Sequence, residues 1–237
     1  MNTSDDAGTG QLSIILPVLN EADLIIEQLQ SLQDYRRAGH EVLVVDGGSN
    51  DATAELAASL ADRVLRSAAG RSLQMNAGAA AAHGDVLLFL HADTRLPTGA
   101  VRLITNALAR YPIGWGWFPV QLDNPSWPYR IIERCMNLRT RLTFVCTGDQ
   151  ALFVRRALFE CIGGFPPIPL MEDVAISKLL RRKSSPGWIP RPVRAASRRW
   201  ESQGIVRTIV LMWWLRLQYF LGVSPERLVR RYYPGRE

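Results

Sequence analysis

Apolar residues fall in short unbroken runs through the first part of the chain, and each run ends abruptly in polar residues. Leu12-Ser13-Ile14-Ile15-Leu16-Pro17-Val18, Glu41-Val42-Leu43-Val44-Val45-Asp46 and Val86-Leu87-Leu88-Phe89-Leu90 are such runs. A run of about four to eight apolar residues between polar boundaries suits a strand buried on both faces. Pro17 has no ladder donor, so it belongs at a strand end. Between the runs the spacing becomes helical. Asn20 is placed to cap a helix with Glu21 and Asp23 in its first turn and Leu24, Ile25, Leu29 and Leu32 on its buried face. Gly47-Gly48-Ser49-Asn50-Asp51 reads as a turn. A second helix is expected from about Ala52 to Leu60, a short strand over Arg63 to Arg66, and an alanine-rich helix from Gly70 to Ala82. Alternating strands and helices predict a mostly parallel sheet with helices on its faces and right-handed crossovers.

The second half is less regular. Helices are expected over Thr98 to Tyr111, Ser126 to Arg141, across Leu158, and from Met171 through Leu180. Strands are expected over Trp115 to Leu122 and Ala151 to Val154, with a turn at Gly163 to Pro167. Trp188 to Trp200 is mixed and basic and predicts no element. Ile205 to Val223 holds Met212-Trp213-Trp214-Leu215 and Tyr219-Phe220-Leu221, long enough to suggest a membrane span. Arg207 and Arg216 argue against one, because charges within a span are costly. With Arg227, Arg230 and Arg231 following, the stretch fits an interfacial helix on an anionic membrane, or a helix packed on the domain or on a dimer partner. The chain thus divides into a loose tail (1–10), a main domain (11–203, with halves 11–97 and 98–203) and a C-terminal helical segment (204–237).

Composition adds limits. At 237 residues and 47% hydrophobic, the chain supports a sizeable core and excludes bulk disorder. The formal charge of +6 suits phosphates or an anionic membrane surface. No zinc-finger, RNP-type or basic-heptad pattern points to nucleic acid. Cys135, Cys146 and Cys161 lack metal-ligand spacing, and the first residues carry no signal-peptide pattern, so reduced thiols and a cytoplasmic location are expected, with the inner membrane face as a possible site of contact.

The candidate chemistry gathers at strand ends. Asp46 and Asp93 each follow an apolar run, at the sheet edge where open α/β folds bind ligands. Asp93 there either caps a turn or holds a hard divalent cation such as Mn2+ or Mg2+. Arg71 precedes a helix N-terminus, where it either meets a phosphate or is solvated. Glu172 and Asp173 are either helix-dipole charges or a general base and its neighbour. Asp149 is a second candidate base, with Gly148 permitting close approach of a substrate.

Pro17-Val18-Leu19-Asn20-Glu21, Val45-Asp46-Gly47-Gly48-Ser49-Asn50-Asp51, Asn76-Ala77-Gly78, His91-Ala92-Asp93, Gly163-Gly164-Phe165 and Glu172-Asp173 occur in the order found in family 2 glycosyltransferases. The chain resembles that family from about Leu12 to Trp200, and the run Gly70-Arg71 with Gln74-Met75-Asn76-Ala77-Gly78, together with Gly148-Asp149-Gln150, is similar to a bacterial subgroup of small single-domain members. The resemblance implies a GT-A-like, Rossmann-type α/β fold with a C-terminal aromatic and basic helix. It implies an inverting, metal-assisted, single-addition transfer of a sugar from a nucleotide-diphospho-sugar to an acceptor hydroxyl. Pro17, Asn20, Glu21, Asp46, Arg71, Asn76, His91 and Asp93 would border the donor, a UDP-sugar, with Asp93 as metal ligand. Asp173 would be the base, with Glu172 and Asp149 in support. Gly148, Gln150, Arg199 and Trp200 would meet the acceptor, a lipid or small molecule. This chain departs from the family pattern in Gly47 and His91, each of which stands where the family has Asp. Ala196 stands where processive members have Gln before Arg-Trp, which favours single addition. Two other readings are a sugar nucleotidyltransferase and a non-catalytic membrane-associated nucleotide-sugar-binding protein. The first calls for a basic glycine-rich loop after the first strand, where this chain has Asn20-Glu21-Ala22-Asp23. The second is opposed by the intact Asp46, Asp93 and Asp173 set.

Overall fold

A computed structural model of the protein describes residues 10–110 and 112–232, with Arg199 by its backbone only. The first half runs β1 (Leu12–Val18), α1 (Ala22–Ser31), α2 (Gln33–Arg37), β2 (Glu41–Asp46), α3 (Thr53–Ala57), β3 (Arg63–Arg66), α4 (Arg71–Ala81), β4 (Val86–Phe89) and β5 (Thr94–Arg95). The second half runs α5 (Ala100–Leu108), β6 (Ile113–Trp117), β7 (Val120–Leu122), α6 (Trp127–Thr143), β8 (Phe153–Arg155), α7 (Arg156–Cys161), α8 (Glu172–Lys183), β9 (Ser185–Trp188), β10 (Val193–Ala195), α9 (Arg198–Gln203), α10 (Ile205–Phe220) and α11 (Pro225–Tyr232).

The main sheet has the order β3-β2-β1-β4-β8-β6-β9. β1, β2, β3 and β4 are parallel neighbours, whereas β8 runs antiparallel to both β4 and β6. Alternation along each strand serves two cores. Ile14, Leu16, Val42, Val44, Leu88 and Leu90 face one layer, with Ile25 and Leu29 of α1 and Ile104 and Leu108 of α5. Ile15, Leu43, Val45, Leu87 and Phe89 face the other, with Met75 and Ala79 of α4 and Ile176 and Leu180 of α8. Strands buried on both faces explain why the sequence shows continuous apolar runs instead of alternation. Pro17 falls beyond the last β1 residue paired to β4, where a missing N–H costs no ladder bond.

The structure is more finely divided than the expected elements. The Trp115 to Leu122 run breaks at Phe118-Pro119 into β6 and β7, which join different sheets. Trp188 to Trp200 contributes to β9 and supplies β10, the centre of a small sheet β5-β10-β7. The expected end of a helix at Tyr111 lies outside the described residues, as does all but the last residue of the 1–10 tail. The C-terminal stretch is two helices. Gly222, at φ 88°, ends the first turn past α10, and the Val223 N–H reaches back to the Gln218 carbonyl (3.0 Å). Pro225 then opens α11. Leu211, Met212, Leu215, Tyr219, Leu228 and Tyr232 pack with Met171 and Val174, so this helical pair is fastened to the start of α8.

Candidate functional site

Three parallel strands deliver their C-terminal ends to one edge. The turn after β4, His91-Ala92-Asp93, is held from two sides. Gln28, fully buried on α1, donates to the carbonyls of His91 (3.3 Å) and Thr94 (2.8 Å). Just past β10, the Ala196 N–H donates to the Asp93 carbonyl at 3.1 Å. The Asp93 carboxylate itself is part-exposed, with an Arg198 nitrogen 3.9 Å away. Glu21 lies close by. Burial, and then Asp93, raise its carboxyl above the usual range, while Arg198, Arg71 and His91 act in the opposite direction. Thus Glu21, Arg71, His91, Asp93 and Arg198 form one electrostatic group.

Beside this group, Asp46 is buried, and its carboxylate accepts from the Gly48 N–H (3.2 Å) and from the N–H (3.1 Å) and hydroxyl (2.5 Å) of Ser49. Asp46 therefore shapes its own turn. Asn20 ties that turn to the β1 exit: its side-chain oxygen accepts from the Asn50 N–H (2.9 Å). Gln74, part of a motif run to which the sequence assigns no role, donates to the carbonyls of Val18 and Val45, both at 2.8 Å. A Cβ at Gly47 would sit 3.0 Å from the Gln74 amide carbon, so Gly47 and Gln74 occupy this corner together.

The other side of the edge is built from the turn Gly148–Gln150, α6 and α8. A small, mostly apolar cavity here is lined by Met75, Phe89, His91, Gly148, Glu172 and Asp173, among others. Desolvation, then the neighbouring Glu172 carboxyl, raises the Asp173 carboxyl to about 7, against a bond from the Val174 N–H and the Arg139 charge. The same surroundings push the buried Cys146 thiol up to about 12, which keeps it protonated. His91, only 12% exposed, bridges the two sides: its Nδ1 lies 3.5 Å from an Asp149 oxygen. Gly148 makes this possible, because a Cβ there would stand 2.3 Å from the imidazole.

Other predicted residues have different surroundings. Gln150 is fully buried, accepting from Thr140 Oγ1 (2.8 Å) and the Thr147 N–H (3.1 Å), so it holds the turn from beneath. Asn76 is bonded to both the N–H (2.9 Å) and the carbonyl (2.8 Å) of Phe165, which secures the Gly163-Gly164-Phe165 turn. Trp200 packs against the cluster of Val120, Leu122, Tyr129, Ile132 and Ala195. Arg198, one residue before the predicted Arg-Trp pair, lies near Asp93, and the Arg199 side chain lies outside the described residues; Ser197, bonded to Asp123 (2.8 and 2.5 Å), fixes the helix start.

All the non-glycine residues with positive φ among those described flank the site: Asn20 (55°), Phe144 (53°), Ala151 (45°) and Met171 (67°). They adjoin Glu21, the end of α6, the Gly148–Gln150 turn and the Glu172-Asp173 pair respectively.

The donor chemistry fits a hard cation. Asp93 offers part-exposed oxygens at an open edge, close to the Glu21 carboxyl. Among the described residues no group of three or more His, Cys, Asp or Glu forms a closed cage, so a cation at Asp93 would complete its shell with ligand oxygens.

The family model for glycosyl transferase family 2 matches residues 13–162. The chain belongs to glycosyltransferase family 2. Its architecture is that of the GT-A members. A mannosyltransferase from Pyrobaculum calidifontis, solved with GDP-Man and Mn2+, superimposes with a TM-score of 0.61 at 22% identity, covering 92% of this chain and 66% of that one. An uncharacterised protein of Mycobacterium tuberculosis is 29% identical over 76% of this chain and 64% of its own length. An undecaprenyl-phosphate 4-deoxy-4-formamido-L-arabinose transferase of Pseudomonas paraeruginosa is 26% identical over 64% of this chain and 49% of its own. The chain thus spans between about half and two thirds of the length of these curated relatives.

Proposed function

We propose that the protein transfers a sugar from a nucleotide-diphospho-sugar to an acceptor oxygen by single inverting displacement. The observation that carries this reading is Asp173: a carboxyl raised to about 7 lines the same cavity as His91, two residues from Asp93. A carboxylate with that pKa takes up a proton efficiently near neutral pH. The acceptor O–H (a hydroxyl, or a phosphate monoester that still carries one proton) gives its proton to Asp173, and the acceptor oxygen forms the new bond to the anomeric carbon. The bond from that carbon to the diphosphate breaks, and its electron pair leaves with the diphosphate. Arg71 and Arg198 face the departing charge; Asn20 and Asp46 keep the base-side turns in place. Mn2+ or Mg2+ held by Asp93 and the donor phosphates would supply Lewis-acid stabilisation of the leaving diphosphate. The donor is a UDP-sugar or a close relative.

The acceptor is a phosphorylated lipid or a small molecule at a membrane surface. Two facts support the membrane. A relative is named for undecaprenyl-phosphate. The outward face of α10 carries Val206, Val210, Trp213, Leu217 and Phe220, all exposed and spaced as one stripe, with Arg207 beside it and exposed Arg227 and Arg230 on α11. No helix among the described residues is long and apolar enough to cross a membrane, so contact would be interfacial.

The test is nucleoside diphosphate release from a panel of UDP-, GDP- and dTDP-sugars with and without Mn2+. Asp93→Asn and Asp173→Asn should each lower turnover by about 10²- to 10⁴-fold while the proteins stay folded. Full turnover in either variant removes that residue from the mechanism, and absence of nucleotide binding in the parent removes the reading altogether.

A further inference from the structure

We propose that two buried glutamines, Gln28 and Gln74, are positioning residues that set the two halves of the donor site independently: Gln28 the turn of Asp93, Gln74 the turns of Asn20 and Asp46. The proposal rests on the transferase reading and adds the residues that hold its donor side in shape. Gln28 is fully buried on α1, and Gln74 is 3% exposed on α4. A neutral amide is costly to bury unless its hydrogen bonds are made. Both amides spend their NH2 groups on carbonyls at the carboxyl edge of the sheet. Gln28 Nε2 donates to His91 (3.3 Å) and Thr94 (2.8 Å), which bracket Asp93. Gln74 Nε2 donates to Val18 and Val45, both at 2.8 Å. Val18 lies two residues before Asn20, and Val45 immediately precedes Asp46. The helices α1 and α4 pack in the two different core layers, so the edge is pinned once from each face.

Each amide is itself held. Gln28 Oε1 accepts from Arg95 Nη1 (2.5 Å), and Arg95 also bonds the Glu27 carbonyl (2.8 Å) and pairs with the Glu27 carboxylate (2.8 Å). An oxygen turned to Arg95 leaves the NH2 turned to the Asp93 turn, so Arg95 fixes which way the amide points. Gln74 is held by space. A Cβ at Gly47 would stand 3.0 Å from its amide carbon and 3.1 Å from both its amide nitrogen and oxygen. Gly47 is not at positive φ, so the amide, and not the backbone shape, requires glycine there. The Val18 carbonyl also accepts from the Gly47 N–H (2.9 Å), so Gly47 and Gln74 meet at one oxygen. Removing either amide leaves two inward carbonyls unpaired, and the turn beside them shifts to recover partners. A shift at His91 to Thr94 misplaces the cation ligand; a shift at Val18 and Val45 alters the nucleoside seat. The two losses therefore separate.

The experiment is isothermal titration of the full chain as parent, Gln28→Met and Gln74→Met, because methionine keeps the length and loses the donors. The first titrant is whichever of UDP, GDP and dTDP the parent binds, added in EDTA. The second is Mn2+, added to protein saturated with that nucleotide. Gln28→Met should weaken Mn2+ binding about tenfold and leave metal-free nucleotide binding unchanged; Gln74→Met should do the reverse. Gly47→Ala should weaken nucleotide binding in the parent and add nothing in Gln74→Met, because both act through one amide. Should a methionine variant not fold, Arg95→Met and Gly47→Ala carry the test with the same expected split, since each disturbs one amide and keeps the glutamine. Equal weakening of both ligands by both variants, or no weakening by either, overturns the proposal. A parent that binds nucleotide only together with Mn2+ also overturns it, because the two halves are then not independent. A parent that binds no nucleotide with or without Mn2+ would instead count against the transferase reading.

Discussion

A methyl group at Gly148 would collide with His91, so one hydrogen atom decides whether the imidazole can lie against Asp149. Gly148→Ala should therefore displace the ring and lower turnover at least tenfold, with an unchanged far-ultraviolet circular dichroism spectrum; undiminished turnover would show that the ring position is immaterial. Asp173 gives a prediction in pH. Its native carboxyl is raised from 3.8 to about 7, so the folded protein holds a proton that the unfolded chain releases. That contribution to stability is complete below the unfolded value and is lost as pH rises through about 7. Asp173→Asn should then melt higher than the parent at pH 8, with the advantage fading by pH 5, while parent turnover climbs over the same interval. A lower melting point for the variant at pH 8 would contradict the raised pKa. The sequence displayed His91, Asp93 and Asp173 because each stands at an element boundary. It hid the roles of Gln28 and Gln74, because a buried polar residue within a helix looks like any other polar residue until its partners arrive from distant segments.

At the scale of elements, β1, β2 and β4 were legible because strands covered on both faces need little but apolar residues. α4 needs more. A Cβ at Gly78 would lie 2.4 Å from the Ile15 side chain and 3.0 Å from that of Val45, so the helix rides directly on the sheet. Gly78→Ala gains helix propensity of about 1 kcal/mol, yet overpacking of this kind costs about 1–3 kcal/mol. A net fall of roughly 2–6 °C in melting temperature is expected by calorimetry; a rise would mean that the helix can lift without penalty. β9 and β10 were not legible. Ser185-Pro186-Gly187-Trp188 has poor strand propensity and forms because Gly116 and Gly187 let two backbones approach. Pro119 likewise divided a single apolar run between two sheets, and its carbonyl accepts from Val193 (2.9 Å).

For the whole molecule, the C-terminal helices have two unlike faces, one packed on Met171 and Val174 and one bearing Trp213 (74% exposed) and Phe220 (80% exposed). The sequence could not separate these faces, since apolar residues occur all round α10 and only the docking on α8 sorts them. Vesicles containing anionic lipid should bind the protein, neutral ones less, and Trp213→Ser with Phe220→Ser should reduce binding by about tenfold or more, given about 1.5–3 kcal/mol for each large side chain buried. Unchanged cosedimentation would exclude this face. The same docking bears on the positive-φ residues that surround the site. Met171, at φ 67°, belongs to the cluster that joins α8 to α10 and α11, and it immediately precedes Glu172 and Asp173. An L-residue in that region is held at a cost of about 1–2 kcal/mol. The cost is met only while its neighbours remain packed. Warming that loosens this corner would let the backbone relax and carry Asp173 out of register with the sheet intact. The enzyme should accordingly lose activity, reversibly, several degrees below its melting temperature, and Met171→Gly should move the inactivation temperature and the melting temperature by different amounts.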